Sequence, residues 1–153
     1  MRARRSRLLL GGAVVLAALT GCTTPTTEGT EMKIDAAAIE RELESIDGVA
    51  SATIGTASAG TPGSYRLSAK IELDEQGDAA LGEVLLGAVR AVDAGADGFT
   101  TYAFHVAAPD PAGGEAPAEL RLSERRSEIP IEVGAYRGSG LVLTDEELAE
   151  AAG

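Results

Sequence analysis

The chain has 153 residues, 44% hydrophobic and only 3% aromatic, with 13 Lys+Arg against 24 Asp+Glu and a formal net charge of −11. This length suits one domain with a workable core, and the shortage of aromatics means a core built mostly of Leu, Ile, Val and Ala. The acidic balance repels nucleic acid, and one Cys with one His leaves no disulfide framework and too few ligands for a zinc site.

In chain order, Arg2, Arg4, Arg5 and Arg7 form a basic segment and residues 8–19 an apolar one. A spanning helix needs roughly 20 apolar residues. The shorter run reads instead as the core of a secretory signal peptide over residues 1–21. Arg4-Arg5 suits a twin-arginine signal, but Arg7 falls where that signal turns apolar, which favours general secretion.

Leu19-Thr20-Gly21-Cys22 closes the apolar run and holds the single cysteine. An aliphatic residue, two small residues and a cysteine at this boundary resemble the lipobox of bacterial lipoproteins. The resemblance implies cleavage between Gly21 and Cys22, a diacylglycerol on the Cys22 thiol, and acylation of the freed amine, for instance by palmitate. The expected location is the extracytoplasmic face of the cell membrane. Each buried methylene is worth about 0.8 kcal/mol, so two or three chains make release negligible. Four of the 13 Lys+Arg precede Cys22 and all 24 Asp+Glu follow it, so cleavage would leave 9 against 24. The remaining 132 residues would carry a net charge near −15.

Residues 23–31 (TTPTTEGTE) have no apolar period and read as a flexible tether. From 23 to 33 there are 11 residues, with a stretched reach of about 35–40 Å. The expected organisation is therefore a lipidated cysteine and tether over 22–33 and one domain over 34–153.

Asp35 is placed to cap a first helix, with Ile34 stapled on Ile39, and Ala36, Ile39, Leu43 and Ile46 recur at helical spacing. Glu40, Arg41, Glu42 and Glu44 fall largely on its wet side, and Gly48 suits a left-handed stop. A strand is expected over 49–57, a turn at Gly60-Thr61-Pro62-Gly63, and a clearly alternating strand over 65–73. The order then recurs. Asp78 is expected to cap a second helix bearing Leu81, Val84, Leu85, Ala88 and Val92, and strands are expected over 99–107 and 118–123 around a 109–117 loop. Ile129, Ile131 and Val133 suggest a short edge strand containing Pro130. Gly138-Ser139-Gly140 breaks the chain, and Thr144 with Glu147 forms a capping box that opens a short C-terminal helix.

Helix-strand-strand, twice, predicts an α+β two-layer sandwich: an antiparallel sheet of four or more strands with two helices on one face. Ile46-Asp47-Gly48-Val49 resembles the helix-to-strand corner of ferredoxin-like domains such as the heavy-metal-associated ones. The Cys pair that binds metal in those domains is missing, so no metal and no cofactor are expected.

Catalytic patterns are sparse. Ser139 lies in Gly-Ser-Gly, whereas a nucleophile elbow needs glycines two residues away on either side, where Arg137 and Leu141 stand. His105 reads as a solvent-facing strand histidine, not a catalytic base. The stretch from Asp93 carries Asp97 and Gly98 at the fifth and sixth positions of a calcium loop, but Gly95 stands at the third and Phe104 at the twelfth, where a bidentate Glu belongs, and phosphate-loop fingerprints are absent. The strand registers instead direct Arg66, Lys70, His105 and Arg121 to one face away from the helices, a candidate surface for an anionic ligand or acidic protein. Glu72 and Glu119 share that face, and the plainer reading is that they neutralise it.

The leading expectation is a lipid-anchored, non-catalytic module that binds an envelope protein or other acidic partner and no nucleic acid. The alternative is a small-molecule or ion-binding lipoprotein serving a transporter; an envelope hydrolase ranks third.

Overall fold

The computed structural model describes residues 33–153, so the signal peptide, the lipobox with Cys22 and residues 23–32 of the tether expected over 22–33 lie outside the described residues; Lys33, expected to end the tether, is in the first strand instead. β1 (Lys33–Ile34) pairs antiparallel with β4 (Ala96–Asp97) as a two-stranded ribbon that fastens the start of the domain to the end of a helix. α1 (Ala36–Glu44) begins where expected, because the Asp35 carboxylate accepts the Ala38 amide at 3.0 Å. Ile39 and Leu43 are buried on its inner side, and Ile34 and Ile46 pack against the same core.

β2 (Val49–Ser58) and β3 (Tyr65–Leu73) form an antiparallel hairpin in continuous register from Ser51↔Glu72 to Ser58↔Tyr65. In β3, Leu67, Ala69, Ile71 and Leu73 are buried, while Arg66, Lys70 and Glu72 are exposed. That alternation is the period-2 pattern of a sheet with one covered face.

Asp74, not Asp78, caps the next turn. Its carboxylate accepts the Gly77 amide at 2.8 Å and opens the short α2 (Glu75–Ala79). α3 (Leu81–Gly95) follows directly from Ala80 without a side-chain cap. Asp78 thus sits inside α2, where its carboxylate pairs with Arg125. The corner is tight: a Cβ on Gly77 would fall 2.0 Å from the Gly48 carbonyl oxygen, and Gly48 has φ +94°. Two glycine backbones in contact let α2 lie against the α1–β2 corner.

β5 (Thr101–Ala108) pairs with β3 in parallel, Lys70 opposite His105, through the α3 crossover. The remaining strands pair antiparallel: β6 (Ala118–Glu119) on Ala107–Ala108, β7 (Ala135–Arg137) and β8 (Gly140–Thr144), in the order β2-β3-β5-β8-β7. α4 (Asp145–Ala152) closes the chain with the expected capping box: Thr144 Oγ1 accepts the Glu147 amide and Glu147 accepts the Thr144 amide at 2.8 Å. The α+β sandwich stands, with a six-stranded, mostly antiparallel sheet and α1, α3 and α4 sharing one core with it.

Two expected strands differ. β8 occupies Thr101–His105 on this edge of β5, so β6 pairs only with Ala107 and Ala108 and ends at Glu119 instead of running to 123. Residues 129–133 form no strand. After a 3-10 turn (Arg126–Glu128) they run beside the first turn of α3, and Ile129 and Ile131 enter the core. Alternation there records burial without a ladder partner. Gly138-Ser139 is the tight turn of the β7–β8 hairpin, and Leu141 and Leu143 beyond it are fully buried. No helix among the described residues is long and apolar enough to cross a membrane.

Candidate functional site

The sheet has one face under helices and one face open. On the open face the registers build rows across three strands. Lys70, His105 and Gly140 form one row; Glu72, Ala107 and Glu119 form the next, about 7 Å further along the strands. Lys70, His105, Glu72, Ala107 and Glu119 line a shallow depression of about 310 Å³. The basic and acidic rows are thus brought side by side.

Small residues shape this surface. His105 lies against Gly140: a Cβ built there would meet the imidazole Cε1 at 3.2 Å and Nδ1 at 3.4 Å. The ring occupies space that any larger residue would claim. Each carboxylate is oriented by a hydroxyl, with Ser51 Oγ donating to Glu72 Oε2 at 2.8 Å and Ser139 Oγ donating to Glu119 Oε2 at 3.2 Å. Among the described residues the ion pairs involve Arg121 and Arg125; neither Lys70 nor Arg66 joins one within 4 Å.

The four expected basic residues separate into three places. Lys70 and His105 are direct neighbours in the depression. Arg66 shares the face but sits four residues away along β3, about 13 Å, with its Nε 3.5 Å from Thr101 Oγ1. Arg121 leaves the face altogether. β6 has ended before it, and it pairs with Glu124 at 3.6 Å in an exposed turn. The neutralising partners read from the sequence, Glu72 and Glu119, both line the depression. Sequence reasoning missed Ser51 and Gly140 as parts of this site and weighed Ser139 only as a nucleophile. Ser51 reaches Glu72 through the β2–β3 register, whereas the roles of Ser139 and Gly140 depend on the hairpin that folds β8 beside β5.

A larger groove, about 480 Å³, runs between α1 and α3 past Ala38, Ile39, Gly87, Ala91 and Gly95. Its apolar floor offers little to bind a reacting group, so the depression is the better candidate despite its smaller volume. Among the described residues no group of three or more His, Cys, Asp or Glu gathers as a metal site.

On the helix side of the sheet, Tyr102 is fully buried, edge-on to Phe99 at 5.9 Å between ring centroids, and its hydroxyl donates to Asp145 at 3.2 Å. Burial, reinforced by the Asp145 charge, pushes its ionisation up to about 12. Burial also raises that of Tyr136, whose hydroxyl donates to the Ile131 carbonyl at 2.9 Å under the Arg126 guanidinium. These tyrosines pin the irregular 129–136 segment and α4 to the core; they hold structure, and neither faces the depression. No protein-family model, no curated protein and no solved structure matches the chain.

Proposed function

We propose that this chain is a non-catalytic binding module, held by lipid on Cys22 at the extracytoplasmic face of the cell membrane, whose open sheet face engages an envelope component. The observation that carries the anchoring is Leu19-Thr20-Gly21-Cys22 at the end of an apolar run, with the only cysteine of the chain at the lipidation position. The 10 residues from 23 to 32, which precede β1, would let the domain stand off the bilayer by up to about 33–36 Å. The binding surface rests on the paired basic and acidic rows. Lys70 and His105 beside Glu72 and Glu119 offer charges of both signs to a partner, and such complementarity sets register and specificity more than raw affinity.

Crosslinking with mass spectrometry on native membranes, comparing wild type with Lys70→Ser/His105→Ser, tests the reading. The expected result is a specific envelope partner recovered with wild type and lost with the variant, together with an intact N-terminal peptide beginning at acylated Cys22. A partner retained by the variant would remove this face from the interface, and an unmodified Cys22 would remove the anchor. The second reading, a small-ligand lipoprotein, draws on the size of the depression. No crosslinked partner, with a thermal shift from a small charged ligand, would favour it.

A further inference from the structure

β2 is one of the two outer edges of the sheet, and an edge strand exposes a row of backbone donors and acceptors that a second chain can pair with. Natural edges are usually guarded by Lys, Pro, a bulge or short length. β2 runs ten residues (VASATIGTAS), with no charged side chain and no proline; its one irregularity lies at the start, between Val49 and Ser51, and its register is unbroken from Ser51 to Ser58. Its guard comes from elsewhere. Glu40 Oε1 accepts the Ile54 amide at 2.8 Å and Glu44 Oε1 accepts the Ala52 amide at 3.4 Å. Glu40 and Glu44 are one helical turn apart, while Ala52 and Ile54 are two residues apart on the strand. The helix rise of about 6 Å and the strand rise of about 6.6 Å agree, so two carboxylates meet two successive outward amides.

We infer that Glu40 and Glu44 stand in for the carbonyls of a neighbouring strand and so keep the β2 edge from pairing with β2 of a second copy of this chain. A second copy is the occupant that the charges favour. The flank of α1 is acidic, while β2 itself is uncharged, so two β2 edges related by a two-fold axis would meet without charge repulsion along the strands. The guard is also incomplete. Thr56 and Ser58 continue the outward phase of Ala52 and Ile54, and one turn before Glu40 the helix offers Ala36, which has no acceptor. The open half of the edge is therefore a ready starting point for pairing once the carboxylates are withdrawn.

The test compares the full chain in detergent, wild type against Glu40→Ala/Glu44→Ala and Glu40→Gln/Glu44→Gln, reading oligomeric mass by light scattering. Expected are a monomer for wild type, a concentration-dependent dimer for the alanine variant, and a monomer for the glutamine variant, whose amide oxygens still accept. A folded alanine variant that stays monomeric overturns the inference. So does a glutamine variant that dimerises equally, since charge and not acceptance would then be the guard. If the alanine variant fails to fold, single-residue amide exchange on wild type decides: Ala52 and Ile54 protected with Thr56 and Ser58 fast supports the guard. Equal protection at all four overturns it, because the edge would already be occupied.

Discussion

Arg125 shows how one side chain can join two irregular stretches. Its guanidinium reaches the Asp78 carboxylate, the Asp78 carbonyl at 2.9 Å and Glu128 at 3.0 and 3.1 Å, tying the turn after β6 to α2 and to the 3-10 turn. Hydrogen bonding to Arg125 holds Glu128 below the usual carboxylate range. A group depressed in the folded state adds stability above its unfolded pKa, about 4.3, and that contribution is lost as pH falls through the folded value. Arg125→Ala should therefore lower the melting temperature at pH 7, and the gap from wild type should narrow as pH falls towards 3. A gap that is constant with pH would show that Arg125 acts through packing alone.

At the scale of elements, close approach depends on missing side chains. Gly82 lies in the first turn of α3, buried beneath the 128–130 segment; a Cβ there would sit 2.2 Å from the Glu128 carbonyl oxygen and 3.0 Å from the Pro130 ring. The obstructing atom is backbone, so relief requires moving the whole segment that carries Ile129 and Ile131 into the core. Gly82→Ala would raise helix propensity yet should destabilise the fold by about 2–3 kcal/mol, the cost of overpacking, read as a lower denaturant midpoint. Unchanged or increased stability would mean that the segment yields freely. The first helix, the β3 alternation and the C-terminal capping box were legible before the fold, since each depends on residues within one turn or one strand. The 129–133 segment was misread for the complementary reason: Ile129, Pro130 and Ile131 alternate as a strand does, but whether an alternating segment finds a ladder partner is decided by chains distant in sequence.

For the whole molecule, the open face is separate from what holds the fold together. Arg66, Lys70 and Arg121 are all exposed, and the core cluster includes none of them. Replacing all three with Ser should change stability by no more than about 0.5 kcal/mol per site, measured by denaturant unfolding. Collapse of the domain would place this face under cover and remove it as a binding surface. Three of the four expected residues were legible: Arg66, Lys70 and His105 fell on one face because strand parity alone assigns faces. Arg121 was misplaced because β8, from the far end of the chain, takes the edge of β5 that an extended β6 would have needed.

By itself the sequence determined what is local: the caps at Asp35 and Thr144, the amphipathic helices, the buried face of β3, and the resemblance at Cys22, which needs no fold at all. The tertiary structure decided what depends on neighbours far apart in the chain: the parallel β3–β5 pairing, the β8 insertion, the contact of Gly48 with Gly77, and the turning of Glu40 and Glu44 from a solvent-facing helix flank to the amides of β2. The division follows from range. Periodicity and capping are set by backbone geometry within a few residues, whereas strand order is chosen by the burial and hydrogen bonding of the whole sheet at once.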